Sequence, residues 1–112
     1  MECIFCKIIS GQIPATIIAE SLNYIAIKDI NPVAPIHILI IPKEHVEKAG
    51  ELKNYEGDVL KELFILVDEI VNTENLSEEG YRLIVNTGKN AGQEVPHLHW
   101  HLLGGRKLGK LG

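Results

Sequence analysis

The run His97-Leu98-His99-Trp100-His101-Leu102-Leu103 alternates imidazole and apolar side chains without a break as far as Leu102. Strand side chains repeat with period two, so the pattern predicts a β-strand from His97 to about Leu103, stopped by Gly104-Gly105. One face would carry the imidazoles of His97, His99 and His101, roughly 7 Å apart along the chain. The other face would bury Leu98, Trp100 and Leu102. Three of the chain's five histidines fall in this run. Three titratable rings in line beside a glycine-rich loop point to chemistry rather than to surface decoration.

The segments around this strand supply the rest of the fold. Tyr81 to Asn86 reads as another strand, followed by a loop over Thr87 to Val95 with glycines at 88 and 92. That loop is rich in Gly and amide residues and would expose backbone N–H groups of the kind that hold phosphate oxygens. Further upstream, Gly57 to Asn72 predicts a long helix. Leu60, Leu63, Phe64, Val67, Ile70 and Val71 recur at three- and four-residue spacing, giving one broad apolar stripe. Asp58 suits the positive end of its dipole, and Glu62, Asp68 and Glu69 would face water. Ile17 to Glu20 and Tyr24 to Lys28 are short β-prone runs joined by Ser21-Leu22-Asn23, a predicted hairpin. Asp29 to Pro35 is a loop, His37 to Ile41 a strand ended by Pro42, and Cys3 to Ile9 a short opening segment closed by Ser10-Gly11. Strands before and after a single long helix, with short connections, predict an α+β fold with an antiparallel sheet. No repeat or linker divides the 112 residues, so residues 1–112 form one domain.

Bulk properties narrow the function. A formal charge of −4 argues against a general nucleic-acid binder. The longest apolar stretch, Val33 to Ile41, contains Pro35 and His37 and is too short to span a bilayer. The start Met1-Glu2-Cys3 has no basic region of the secretory kind, and two cysteines do not make a disulfide scaffold. These features predict a cytoplasmic chain with reduced thiols.

Two chemistries suit the aligned histidines. Histidines at i and i+2 on a strand can chelate zinc in a catalytic site. Alternatively, one neutral imidazole can attack phosphorus while its neighbours orient it and move protons. The loop before the strand favours phosphate chemistry. Asp29 and Ile30 open a loop where a carboxylate could accept hydrogen bonds from ribose hydroxyls, or could simply close a turn.

The histidine run matches the His-x-His-x-His-x-x signature, and the chain resembles the histidine triad (HIT) family, in particular its Hint branch. Asp29-Ile30, Ala34 to His45, Tyr81 to Asn86, Gly92-Gln93 and Leu103 to Arg106 carry the same likeness, in the same order, from about Cys3 to Arg106. The resemblance implies an antiparallel sheet of about five strands with one long helix and a short N-terminal helix. Two copies would join into a homodimer with one continuous larger sheet. It also implies a hydrolase that releases a purine nucleoside 5′-monophosphate from an amine, with dinucleoside polyphosphate hydrolysis or nucleotide binding with little turnover as alternatives. His99 matches the nucleophile, His101 the position beside the leaving group, and His97 and His37 supporting positions. Asn86, Gly92, Gln93, Glu94 and Val95 match the phosphate cradle, and Asp29 with Ile30 the ribose and base side. Glu94 stands where some members carry Ser or Thr, so its backbone N–H is the group carried over. No cofactor is required for this chemistry.

Cys3-Ile4-Phe5-Cys6 is a CxxC pair. A redox dithiol would follow a strand and open a helix, a context not apparent here, and zinc needs two more ligands, for which His45 is a candidate. The resemblance implies a structural zinc held by Cys3, Cys6, His45 and His97. Four protein ligands make a closed site rather than a catalytic one.

Overall fold

A computed structural model describes residues 3–111. Helix α1 (Ile4–Ile9) leads into strands β1 (Ile17–Glu20), β2 (Tyr24–Lys28) and β3 (Ile36–Pro42). Helix α2 (Val59–Thr73), β4 (Tyr81–Val85) and β5 (Trp100–Gly104) follow, with short 3₁₀ segments at Ala49–Asn54 and Lys89–Ala91. The sheet runs in the order β1-β2-β3-β5-β4, antiparallel throughout, as expected for an α+β fold.

The sheet separates two apolar layers. Tyr24, Ala26, Ile38, Ile40, Leu98, Trp100 and Leu102 face α2 and form the larger core with Leu63, Leu66, Val67 and Ile70. Ile25, Ile27, Leu39 and Ile41 point the other way and receive Cys3 and Phe5 from the α1 end of the chain. The expected reverse face of Leu98, Trp100 and Leu102 is therefore buried as predicted. At Gly104, the last residue of β5, a Cβ would lie 2.9 Å from the Leu76 side chain, which suits the position to glycine.

Three expectations change. The last strand starts at Trp100 rather than His97. Trp100 pairs with Ile40 and Val85, and β4 ends there. Farther back Pro42 has no N–H to offer a ladder, so residues 97–99 find other partners: the His97 amide donates to Val95 and the Leu98 amide to Val46. The helix stripe is also rotated. Val59 and Leu66 are buried, whereas Leu60 and Phe64 are more than half exposed. Apolar residues cover well over half of the circumference of α2, so periodicity alone cannot choose which side meets the sheet. Finally, Glu62 is not simply a wet-face residue. Its carboxylate accepts hydrogen bonds from Ser21 Oγ (2.6 Å), the Asn23 amide (2.6 Å) and Asn23 Nδ2 (2.7 Å), tying α2 to the β1–β2 turn. Burial alone would raise its pKa, but these donors and Lys43 hold it below the usual range. Asp58 caps α2 through the Lys61 amide at 3.0 Å, in keeping with its expected place at the helix start.

Candidate active site

His37 on β3 and His101 on β5 lie on the α1 side of the sheet, and His99 joins them from the segment just before β5. The His99 and His101 ring centroids are 5.0 Å apart and those of His37 and His101 5.2 Å. His97 turns aside into a sulfur cluster. The four rings thus divide into a group of three and one outlier.

Hydrogen bonds assign each ring a tautomer. His37 Nδ1 accepts the Val33 amide at 3.2 Å, so its proton sits on Nε2. That Nε2–H donates to His101 Nδ1 at 3.0 Å, which places the His101 proton on Nε2. Asp29 Oδ2 lies 3.4 Å from the same His37 nitrogen. His99 donates Nδ1–H to the His97 carbonyl at 2.8 Å, leaving its Nε2 with a bare lone pair. Burial, followed by the neighbouring His99 and His37, pushes His101 down to about 4, against a small opposing effect of Asp29. Burial likewise lowers His37, again opposed by Asp29, and it lowers His97. Burial thus favours the neutral form of His101, His37 and His97. An imidazole near its ordinary pKa, the expectation for acid–base work, is not what His101 presents before a ligand binds.

Of the two roles the sequence left open for Asp29, the described contacts include the turn, together with an approach to His37. Its Oδ1 closes a turn through the Asn31 amide at 2.8 Å, and its Oδ2 faces His37. Asp29 and Ile30 also line a cleft of about 450 Å³ with Pro14, Ala15, Thr16 and Lys28. Ile30 is almost wholly exposed there. Glu94 and Val95 line another cleft, of about 390 Å³, with Cys3, Ile4, Lys7, Ile13 and Pro96.

The loop before β5 is organised by Gln93. Its Oε1 accepts the Gly88 amide at 2.8 Å, and its Nε2 donates to the carbonyls of Glu47 (2.8 Å) and Val95 (3.2 Å). The amides of Gly92 and Gln93 turn inward to Lys89 and Gly88. Among the described residues, the amides of Glu94 and Val95 have no hydrogen-bond partner. Those two N–H groups are among the loop's open donors, and the side chain of Gln93 is a brace. Asn86 follows β4 by one residue, beyond the Val85–Trp100 pair, which brings it to the level of His99. Gly92 supports the turn with a left-handed backbone, φ +84°.

The second group is Cys3, Cys6, His45 and His97, whose ligand atoms all lie within 4.8 Å of one another. Cys3 Sγ and Cys6 Sγ are 3.3 and 3.7 Å from His97 Nδ1, and Cys6 Sγ is 3.3 Å from His45 Nδ1. A tetrahedral zinc with ordinary Zn–S and Zn–N bonds separates S and N by about 3.6 Å, so the spacing fits. His97 Nε2–H donates to the Pro42 carbonyl at 2.9 Å, which leaves Nδ1 as the ligand atom and supplies the outer-shell partner such a histidine needs. Burial and the adjacent Cys3 push the Cys6 thiol up. The CxxC opens the expected short N-terminal helix, Cys3 capping α1 by accepting the Cys6 amide at 3.4 Å, and among the described residues no strand precedes it.

Phe5 was not among the residues singled out in the sequence. It packs edge-on against His97 and His99, with centroids 5.7 and 5.0 Å away. Its place between the two cysteines was the available signal.

The HIT domain family model matches residues 10–108. The purine nucleoside phosphoramidase of Escherichia coli (strain K12) is 42% identical over 110 residues, covering 98% of this chain and 92% of that protein. An uncharacterised HIT-like protein of Rickettsia prowazekii is 42% identical over 108 residues, covering 96% and 90%. A histidine triad protein from Clostridium difficile superposes with a TM-score of 0.91 at 40% identity, covering 100% of this chain and 97% of that one. A HIT family hydrolase from Clostridium thermocellum gives 0.91 at 46% identity, covering 98% and 96%. With the aligned histidines, the five-stranded antiparallel sheet and these matches over nearly its whole length, the chain belongs to the HIT family.

Proposed function

We propose that this protein hydrolyses purine nucleoside 5′-phosphoramidates through a covalent nucleotidyl-His99 intermediate. The observation that carries the reading is the bare Nε2 of His99, held by the Nδ1–H bond to the His97 carbonyl. Oriented imidazole is a competent nucleophile at phosphorus. Nε2 attacks the α-phosphorus, the P–N bond to the amine breaks, and the departing nitrogen takes a proton from His101. The anionic phosphate supplies the reason that His101 holds that proton: a negative charge beside a buried imidazole raises its proton affinity well above the free-site value. Water then attacks, returns a proton to His101, and displaces neutral His99. The products are the nucleoside monophosphate and the amine.

His37 positions the neutral His101 ring through its Nε2–H; once the phosphate gives His101 a second proton, on Nδ1, that bond gives way and the charge is faced by the Asp29 carboxylate, within 4.8 Å of both rings' ligand nitrogens. The open amides of Glu94 and Val95, with Asn86, are suited to the phosphate oxygens, so Glu94 serves through its backbone. Gly92 and Gln93 shape that loop. Asp29 and Ile30 lie on the ribose and base side. His97 supports the site through its carbonyl. A catalytic zinc on His97, His99 and His101 fits less well, because His97 turns Nδ1 into the sulfur cluster and His99 Nδ1–H is taken by the His97 carbonyl.

Cys3, Cys6, His45 and His97 fit a structural zinc, an S₂N₂ donor set of the closed kind. The same reading includes a homodimer. β4 is an outer strand with Tyr81 and Val85 exposed, and α2 exposes Leu60, Phe64 and Ile65. Pairing two β4 strands would make one larger sheet and cover apolar surface. Among the described residues no helix is long and apolar enough to cross a membrane. The cytoplasm, with no nucleic-acid partner, suits the reduced thiols and the net negative charge.

The test is AMP release from adenosine 5′-phosphoramidate and from a diadenosine polyphosphate. We expect release from the first, and a His99→Ala variant that binds AMP without turnover. Faster cleavage of the polyphosphate would transfer the activity to that substrate class. Release from neither would leave a nucleotide-binding protein.

A further inference from the structure

The sulfur cluster and the nucleophile meet at one residue. His97 turns its ring into the cluster, 3.3 Å from Cys3 Sγ, while its carbonyl accepts the His99 Nδ1 proton at 2.8 Å. The ring is held at both nitrogens, since Nε2–H donates to Pro42 at 2.9 Å. The peptide that carries the His97 carbonyl is held on its other edge as well: the Leu98 amide donates to the Val46 carbonyl at 2.7 Å. Val46 adjoins His45, whose Nδ1 is 3.3 Å from Cys6 Sγ. Both imidazoles of the cluster therefore lie one residue from the hydrogen bond that orients this peptide.

A carbonyl and the following amide share one plane. Tying His45 to His97 through Cys6 Sγ, with Cys3 Sγ holding the same His97 nitrogen, thus restricts the plane, and with it the direction in which the carbonyl meets His99. No strand ladder supplies that restraint, because residues 97–99 precede β5. From this the geometry points to Cys3, Cys6 and His45 as positioning residues for the nucleophile. They act through the ring and carbonyl of His97, and keep His99 with Nδ1 protonated and Nε2 bare. The inference deepens the phosphoramidate reading and rests on it for the reaction, but the orientation of His99 belongs to the free protein. Zn(II) suits the four donors and, when bound, makes the tie rigid.

The experiment titrates the full chain, prepared free of metal, with Zn(II) alone. Three quantities are read: zinc bound per chain, the ¹⁵N shifts of the His99 ring at one pH without nucleotide, and the single-turnover rate of AMP transfer to His99 from adenosine 5′-phosphoramidate. We expect one zinc per chain and His99 signals that move from an averaged pair to a single Nδ1–H form. Transfer should become about tenfold faster, the factor one well-oriented hydrogen bond carries, with unchanged affinity for AMP. Cys6→Ala should lose the zinc and both effects, and Cys6→His, which restores a ligand, should regain them. The inference is overturned if no zinc binds, if zinc binds and the His99 signals do not move, or if folded Cys6→Ala matches the loaded protein in both readouts. Should Cys6→Ala fail to fold, the titration of the unaltered chain decides. The ¹⁵N reading needs no substrate, so it stands even if the phosphoramidate is not cleaved.

Discussion

Replacing His37 with alanine tests the relay that gives His101 its tautomer. The His37 side chain is 5% exposed, accepts the Val33 amide at 3.2 Å and donates to His101 Nδ1 at 3.0 Å. Alanine removes the donor facing Nδ1, so nothing then prefers the His101 proton on the outward Nε2. One buried hydrogen bond contributes about 0.5–1.5 kcal/mol, and leaving its partner unsatisfied costs about 1–3 kcal/mol. If about 1.4–2.8 kcal/mol of this is felt in the transition state, kcat falls by about 10- to 100-fold. The affinity for nucleotide should change less, because the phosphate loop is untouched. His37→Gln can still present an N–H to His101 and should recover part of the loss. Steady-state release of AMP from adenosine 5′-phosphoramidate measures both parameters, with thermal unfolding to show that each variant is folded. A folded alanine variant with the original kcat would refute the relay, as would a glutamine variant no better than alanine.

Three further outcomes are expected. His101 is lowered from 6.5 to about 4, so the unfolded chain takes up a proton before the folded one does. Its contribution to stability is complete above pH 6.5 and is lost as the pH falls to about 4, by about 2–3 kcal/mol after allowing for partial exposure. Urea unfolding at pH 7.5, 5.5 and 4.5 measures this, and a flat profile would contradict it. Glu62→Ala removes three hydrogen bonds to the β1–β2 turn and should destabilise the chain by about 2–4 kcal/mol, read from the urea midpoint. Leu66→Ala, at a site 1% exposed, should cost about 2–5 kcal/mol. Leu60→Ala should leave the folded chain within about 1 kcal/mol and instead weaken self-association measured by sedimentation; the reverse order would place the core on the other side of α2.

Much of the architecture was already legible in the chain. Alternation at 97–103 separated Leu98, Trp100 and Leu102, which pack under α2, from His99 and His101 on the other side, and the expected hairpin, strands and long helix all form. Such patterns are local consequences of period two and period 3.6, so short stretches carry them. The CxxC and the aligned histidines likewise marked residues that meet. The helix stripe failed where the pattern was degenerate: Leu60 and Phe64 satisfy helical spacing as well as Val59 and Leu66 do. Only the position of the sheet distinguishes them.

The sequence by itself determined the element types, the antiparallel α+β class and the set of residues able to do chemistry, because residue type and spacing carry those. Tertiary structure decided the division of labour among the histidines. Whether an imidazole nitrogen holds a proton or a lone pair depends on what faces it: the Val33 amide for His37, His37 for His101, the His97 carbonyl for His99, and two sulfurs for His97. Those partners come from as far away as Cys3, 94 residues from His97. No local period encodes a contact of that range, so only the folded chain could separate the outlier from the three rings that share the site.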